Sequence, residues 1–128
     1  MEVLVAAMVL AISLPAALDA LGTAVRGAAH HESQTARRYL VSGRMEQVLA
    51  EPAASLDAAA LAAGSPKAPT SYSDPPGTSE RLLVYLAHYD LDDVDGDLDP
   101  FTGGDAQLMW VRVEIENQAL GLESVIGP

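Results

Sequence analysis

The sequence has no cysteine, which excludes disulfides, thiolate metal sites and a thiol nucleophile. Aromatic residues are scarce, at 5% of 128 residues with a single tryptophan and a single phenylalanine. That scarcity, beside abundant alanine, favours helix-on-helix packing over a large aromatic ligand pocket. Bases are also few. Seven Lys and Arg against 18 Asp and Glu leave a formal net charge of -11, which removes the positive footprint that nucleic-acid binding needs. Catalytic signatures are missing as well. There is no nucleophile elbow and no phosphate-binding glycine loop, and His31-Glu32 lacks the second histidine of a zinc-protease helix, because Thr35 stands there. His30 and His31 diverge by about 100° on a helix and read as exposed residues on a polar face. The expectation is one non-enzymatic domain with a modest core.

What the chain does have begins at its N-terminus. Glu2 is the only charge before Asp19, and it abuts the run Val3 to Leu18, interrupted only by Ser13 and Pro15. A carboxylate near a bilayer centre costs roughly 2.5–3.5 kcal/mol on insertion scales, so such residues are rare and usually paired. As a helix the run spans about 24 Å at about 1.5 Å per residue. A bilayer core wants about 20 residues. A secretory signal fits poorly, because the charge before the run is negative where a positive one is expected.

Helical spacing continues through Leu21, Val25, Ala28, Ala29, Ala36, Tyr39, Leu40, Met45, Val48 and Leu49, with charged residues between them. One helix is expected from about Glu2 to Ala50, apolar all round over 1–25 and amphipathic over 26–50. Glu51-Pro52 stops it, since the residue before proline is pushed out of the helical region. Residues 51–80 are rich in Ala, Ser and Pro and read as a loop, with a short helix over Leu56 to Ala63 ending at Gly64.

Three strands are expected within 81–128: Arg81 to Asp90, Gln107 to Glu116 and Ala119 to Ile126. The middle one alternates most clearly, with Met109, Val111, Val113 and Ile115 on one face. The short Asn117-Gln118 connection makes the last two a hairpin. The order predicts an α+β fold, a long N-terminal helix packed on a small C-terminal antiparallel sheet.

Between the first two strands, 90–105 holds aspartates at 90, 92, 93, 95, 97, 99 and 105 and no base. Such a block is normally a solvated loop or an ion site. Calcium takes six to eight oxygen ligands, and Asp93, Asp95, Asp97 and Asp99 around Gly96 are the candidate set. With Gly96 at the sixth position, Leu91 and Thr102 stand where an EF-hand loop has its first and last ligands, so this is not such a loop.

Glu2-Val3-Leu4-Val5-Ala6 resembles the opening of type IV pilins and pseudopilins. Arg44-Met45-Glu46-Gln47-Val48-Leu49 is similar to an element at the same point of the helix in minor pilins and pseudopilins of the I and V types. The resemblance implies a single-pass subunit of a bacterial cytoplasmic membrane with its sheet domain outside the cytoplasm. It implies entry into a type IV pilus or type II secretion filament by helix packing against other pilin or pseudopilin subunits. Glu2 would neutralise a neighbour's N-terminal amine, Val3, Leu4 and Val5 would pack in the filament, and Pro15 would sit in the membrane half. Otherwise Pro15 marks an ordinary kink or the end of a short helix. Arg44, Met45 and Glu46 would join helix to sheet.

The family's basic leader ending in glycine is missing upstream of Glu2. The expectation is a start inside the motif, with prepilin peptidase as a partner if an upstream leader exists. Some pseudopilins bind calcium beside the sheet, which bears on the aspartate set. The alternative reading is a membrane-anchored or secreted calcium-binding module built on that loop.

Overall fold

The computed structural model describes the backbone of residues 2–91, 96–101 and 108–127, and the side chains of these except 2–7 and 9–12. The elements in chain order are α1 (Glu2–Leu49), α2 (Ala53–Ala63), β1 (Leu82–His88), β2 (Met109–Ile115) and β3 (Gly121–Ile126). The fold is α+β. By contacts the chain divides into two units, Met1–Ala36 and Arg37–Pro128.

The first unit is helical. Pro15 lies inside α1, and the helix does not end there. The polar side chains of this stretch bond within their own helix: Thr23 Oγ1 donates to the Asp19 carbonyl at 3.0 Å and Arg26 Nε to the Gly22 carbonyl at 3.2 Å. His30 and His31 are exposed, as their place on a polar face predicts.

In the second unit, the last turns of α1 place Val41, Met45 and Val48 in the core at four- and three-residue steps. The buried face differs from the expected apolar set. Val41 is in it, whereas Tyr39 and Leu40 are exposed, because they sit about 200° and 100° round the helix from Val41. The break between the helices falls at Pro52, whose extended backbone stops α1 and whose carbonyl accepts the Ser55 and Leu56 amides as α2 begins. α2 starts earlier than expected and ends where expected, at Gly64. Its φ of 68° is the left-handed C-cap conformation, and its amide donates to the Ala60 carbonyl at 3.1 Å.

The sheet order is β1-β2-β3, antiparallel throughout. Leu82, Val84 and Leu86 of β1 share the core face with Met109, Val111, Val113 and Ile115 of β2, against Val41, Met45, Val48 and Leu56. The alternation of β2 appears directly as alternating burial. In β1 burial is not confined to the core face, since Leu83 and Ala87 on the opposite face are buried too, with Tyr85 between them half-buried.

The free edge of β1 is closed by the segment 70–74. Thr70 N donates to Val84 O at 2.8 Å, Asp74 N to Leu82 O at 2.9 Å, and Val84 N to Ser73 Oγ at 2.9 Å. The hairpin from β2 to β3 turns through Asn117, in the left-handed region at φ 61°, a conformation asparagine tolerates well. Leu122 lies in register with Val113 on the core face, yet it is exposed, because β3 is the edge strand and the described packing elements do not reach over it.

Candidate functional site

Two features stand out, one in each unit. In the first, Leu14, Leu18, Leu21 and Val25 follow four-three-four steps, the spacing that keeps apolar side chains on one seam of a helix. They are 58%, 60%, 61% and 61% exposed, and within their own unit no described residue covers the seam. Beside it stand Ala17, Gly22 and Ala24, small enough for another helix to come close.

In the second unit the site is the sheet face turned away from the core. Strand register lines up Tyr85, Arg112 and Glu123 in one row across all three strands, and Trp110 and Val125 in the next. Arg112 holds the centre. Its Nε and Nη2 donate to Glu114 Oε2 at 2.9 and 2.6 Å, and its Nη1 donates to Glu123 Oε1 at 2.9 Å. Tyr85 donates its hydroxyl to the other Glu114 oxygen at 3.0 Å.

The Glu114 hydrogen bond raises the Arg112 pKa further above its ordinary value, against an opposing effect of burial. Burial is the largest influence raising Tyr85, followed by its hydrogen bond to Glu114, because a tyrosinate there would lose water and face a carboxylate. Gly121 stands opposite Glu114. A Cβ at Gly121 would lie 3.2 Å from both Glu114 Cβ and Val113 O, so a side chain there would press on Glu114 and shift it by a few tenths of an ångström.

Around the polar row the chain gathers its aromatics. Phe101 meets Trp110 edge-on at 5.0 Å between ring centroids and meets Tyr89 edge-on at 6.1 Å. Tyr85, Tyr89, Phe101 and Trp110 line one open concavity of about 920 Å³, together with Pro66, Lys67, Asp99 and Pro100. Only Tyr39 and Tyr72 lie elsewhere. The few rings are concentrated by strand register and by the turn at Phe101.

The sequence-derived candidates are distributed as follows. The side chains of Glu2, Val3, Leu4 and Val5 lie outside the described residues, and Pro15 is exposed on α1. Arg44, Met45 and Glu46 take three different places. Met45 is in the core, Arg44 bonds Tyr72 O at 2.8 Å and Asp74 Oδ1 at 2.6 Å, and Glu46 is exposed.

Asp93 and Asp95 lie outside the described residues. Asp97 and Asp99 turn back on their own loop, accepting the amides of Asp99 at 2.8 Å and Phe101 at 3.0 Å. Among the described residues no group of three or more metal-ligating side chains converges. The acidic stretch is not uniformly solvated either, since Asp90 is buried and its amide donates to Pro100 O at 2.8 Å. From the sequence alone Trp110, Arg112 and Glu114 are only the residues that alternate with Met109, Val111, Val113 and Ile115 along the middle strand. The signal that could have marked them is one tryptophan, one arginine and one glutamate at alternate positions.

Among the described residues no helix is long and apolar enough to cross a membrane. Comparison with protein-family profiles, with curated proteins and with solved structures finds no match.

Proposed function

We propose that the chain is a structural subunit that assembles by helix packing, a minor pilin or pseudopilin of a type IV pilus or type II secretion filament. The observation that carries this reading is the uncovered seam Leu14–Leu18–Leu21–Val25. Burying a leucine side chain is worth about 1.5–3 kcal/mol, so four aliphatics on one helix stripe are costly in water and favour cover by a bilayer or by a partner helix. Small neighbours at Ala17, Gly22 and Ala24 suit a closely packed helix bundle. The α+β order and the Arg44-Met45-Glu46 element agree with the pilin resemblance of the sequence.

In this reading residues 1–25 hold the waiting subunit in the cytoplasmic membrane, with the sheet unit outside the cytoplasm. Glu2 supplies a carboxylate to a neighbour's N-terminal amine inside the bundle, offsetting the desolvation of both charges. Glu2→Leu is the test. Membrane insertion should persist while incorporation into sheared filaments is lost; normal incorporation of the variant overturns the assignment.

A further inference from the structure

We propose that the outer face of the sheet is a binding site for a neutral saccharide, seated on Trp110 and hydrogen-bonded by Arg112 and Glu123. The concavity of about 920 Å³ has the size of a small-ligand cleft and the mixture such clefts show, aromatic walls with a few fixed polar groups. All of its lining lies within Arg37–Pro128, so the inference does not rest on the filament reading.

Charge selects the ligand class. The Arg112 guanidinium is paired with two carboxylates, Glu114 and Glu123, and the lining adds one base, Lys67, and one further acid, Asp99. An anion entering this face meets both glutamates in a chain of net charge -11. A cation meets the guanidinium at the centre of the row. A purely apolar guest would strip water from an ion-paired triad without replacing its hydrogen bonds, which is costly. A neutral polyol avoids all three penalties.

The free hydrogen-bonding capacity fits hydroxyl groups. Arg112 uses three N–H groups on the glutamates and keeps two of the five that a guanidinium carries. Glu123 accepts through Oε1, which leaves Oε2 as an acceptor beside those donors. A sugar hydroxyl both donates and accepts, so neighbouring hydroxyls can bridge the pair. The C–H face of a pyranose is apolar and matches an aromatic wall, here a ring held edge-on by Phe101. The Arg112 fork is already fixed by its glutamates, so little side-chain freedom is lost on binding.

Trp110 is the only tryptophan, so its emission reports occupancy of this face in the full chain without a label. Maltohexaose, cellohexaose and chitohexaose are titrated into the millimolar range, with trilysine and triglutamate as charged probes. Cellohexaose against maltohexaose separates β- from α-linked glucans, and chitohexaose adds the N-acetyl group. At least one saccharide should shift the emission saturably and with little dependence on salt. Glu123→Gln and Arg112→Lys should each weaken that binding by about tenfold, the loss expected for a hydrogen bond to a charged group. Glu51→Gln, an exposed acid outside the concavity, should leave it unchanged. Should Arg112→Lys melt early, Glu123→Gln on the exposed edge strand carries the comparison. Silence toward all three saccharides, a response only to a charged peptide, or equal binding by Glu123→Gln overturns the proposal.

Discussion

Arg44 and Asp74, thirty residues apart, form a partly buried ion pair at 2.6 Å that fastens the last turns of α1 to the segment edging β1. Each partner has a second duty. Arg44 also donates to the Tyr72 carbonyl, and Asp74 Oδ2 accepts the Leu82 amide at 3.0 Å. The pair therefore joins helix, edge segment and first strand at one point.

Arg44→Met should destabilise the chain by about 2–3 kcal/mol, because it leaves a half-buried carboxylate and a carbonyl without their charged donor. Arg37→Met should cost no more than about 1 kcal/mol, since the Arg37–Glu80 pair is one-third exposed on both sides. Urea denaturation of the two variants gives the comparison. Equal losses would contradict the role assigned to Arg44.

Core truncations should follow the sheet faces. Leu86→Ala removes a side chain that is fully buried among the core residues and should cost about 2–5 kcal/mol. Leu61→Ala, on the exposed side of α2, should change stability by no more than about 0.5 kcal/mol. Thermal and urea melts measure both.

Tyr85 links stability to high pH. Its pKa is raised by burial and then by Glu114, so the folded chain keeps the phenolic proton that the unfolded chain loses near pH 10. The stabilisation is complete below about pH 10 and is lost as pH rises through the folded-state value. Unfolding measured from about pH 9 to about pH 11 should show a steeper loss in the wild type than in Tyr85→Phe. Parallel profiles would mean that Tyr85 does not carry the effect.

The long helix and the sheet could be read from the sequence for clear physical reasons. Pro52 forbids continuation of α1, and Met109 to Ile115 alternates strictly, so helix end and middle strand followed from local rules. Val41 was missed because apolar residues crowd both sides of 39–41, and only packing decides which one turns inward. Leu122 pairs with Val113 of the core face, but its exposure depends on what lies beyond an edge strand. The outer-face site was the least legible part. Tyr85, Arg112 and Glu123 meet only through pairing of three strands, and although Asp99-Pro100 signals a turn, nothing local says that it carries Phe101 to Trp110.

The central claim is that the seam of α1 packs against a neighbouring pilin-type helix. The absence of cysteine makes a direct measurement possible, since Leu18→Cys introduces the sole thiol of the chain. A thiol-reactive photo-crosslinker placed there in native membranes should capture a second copy of the chain or another long-helix pilin-like subunit, identified by mass spectrometry. Thr23→Cys, away from the seam, should capture far less. Leu18→Cys that stays uncrosslinked, or crosslinks no better than Thr23→Cys, would contradict assembly through this helix.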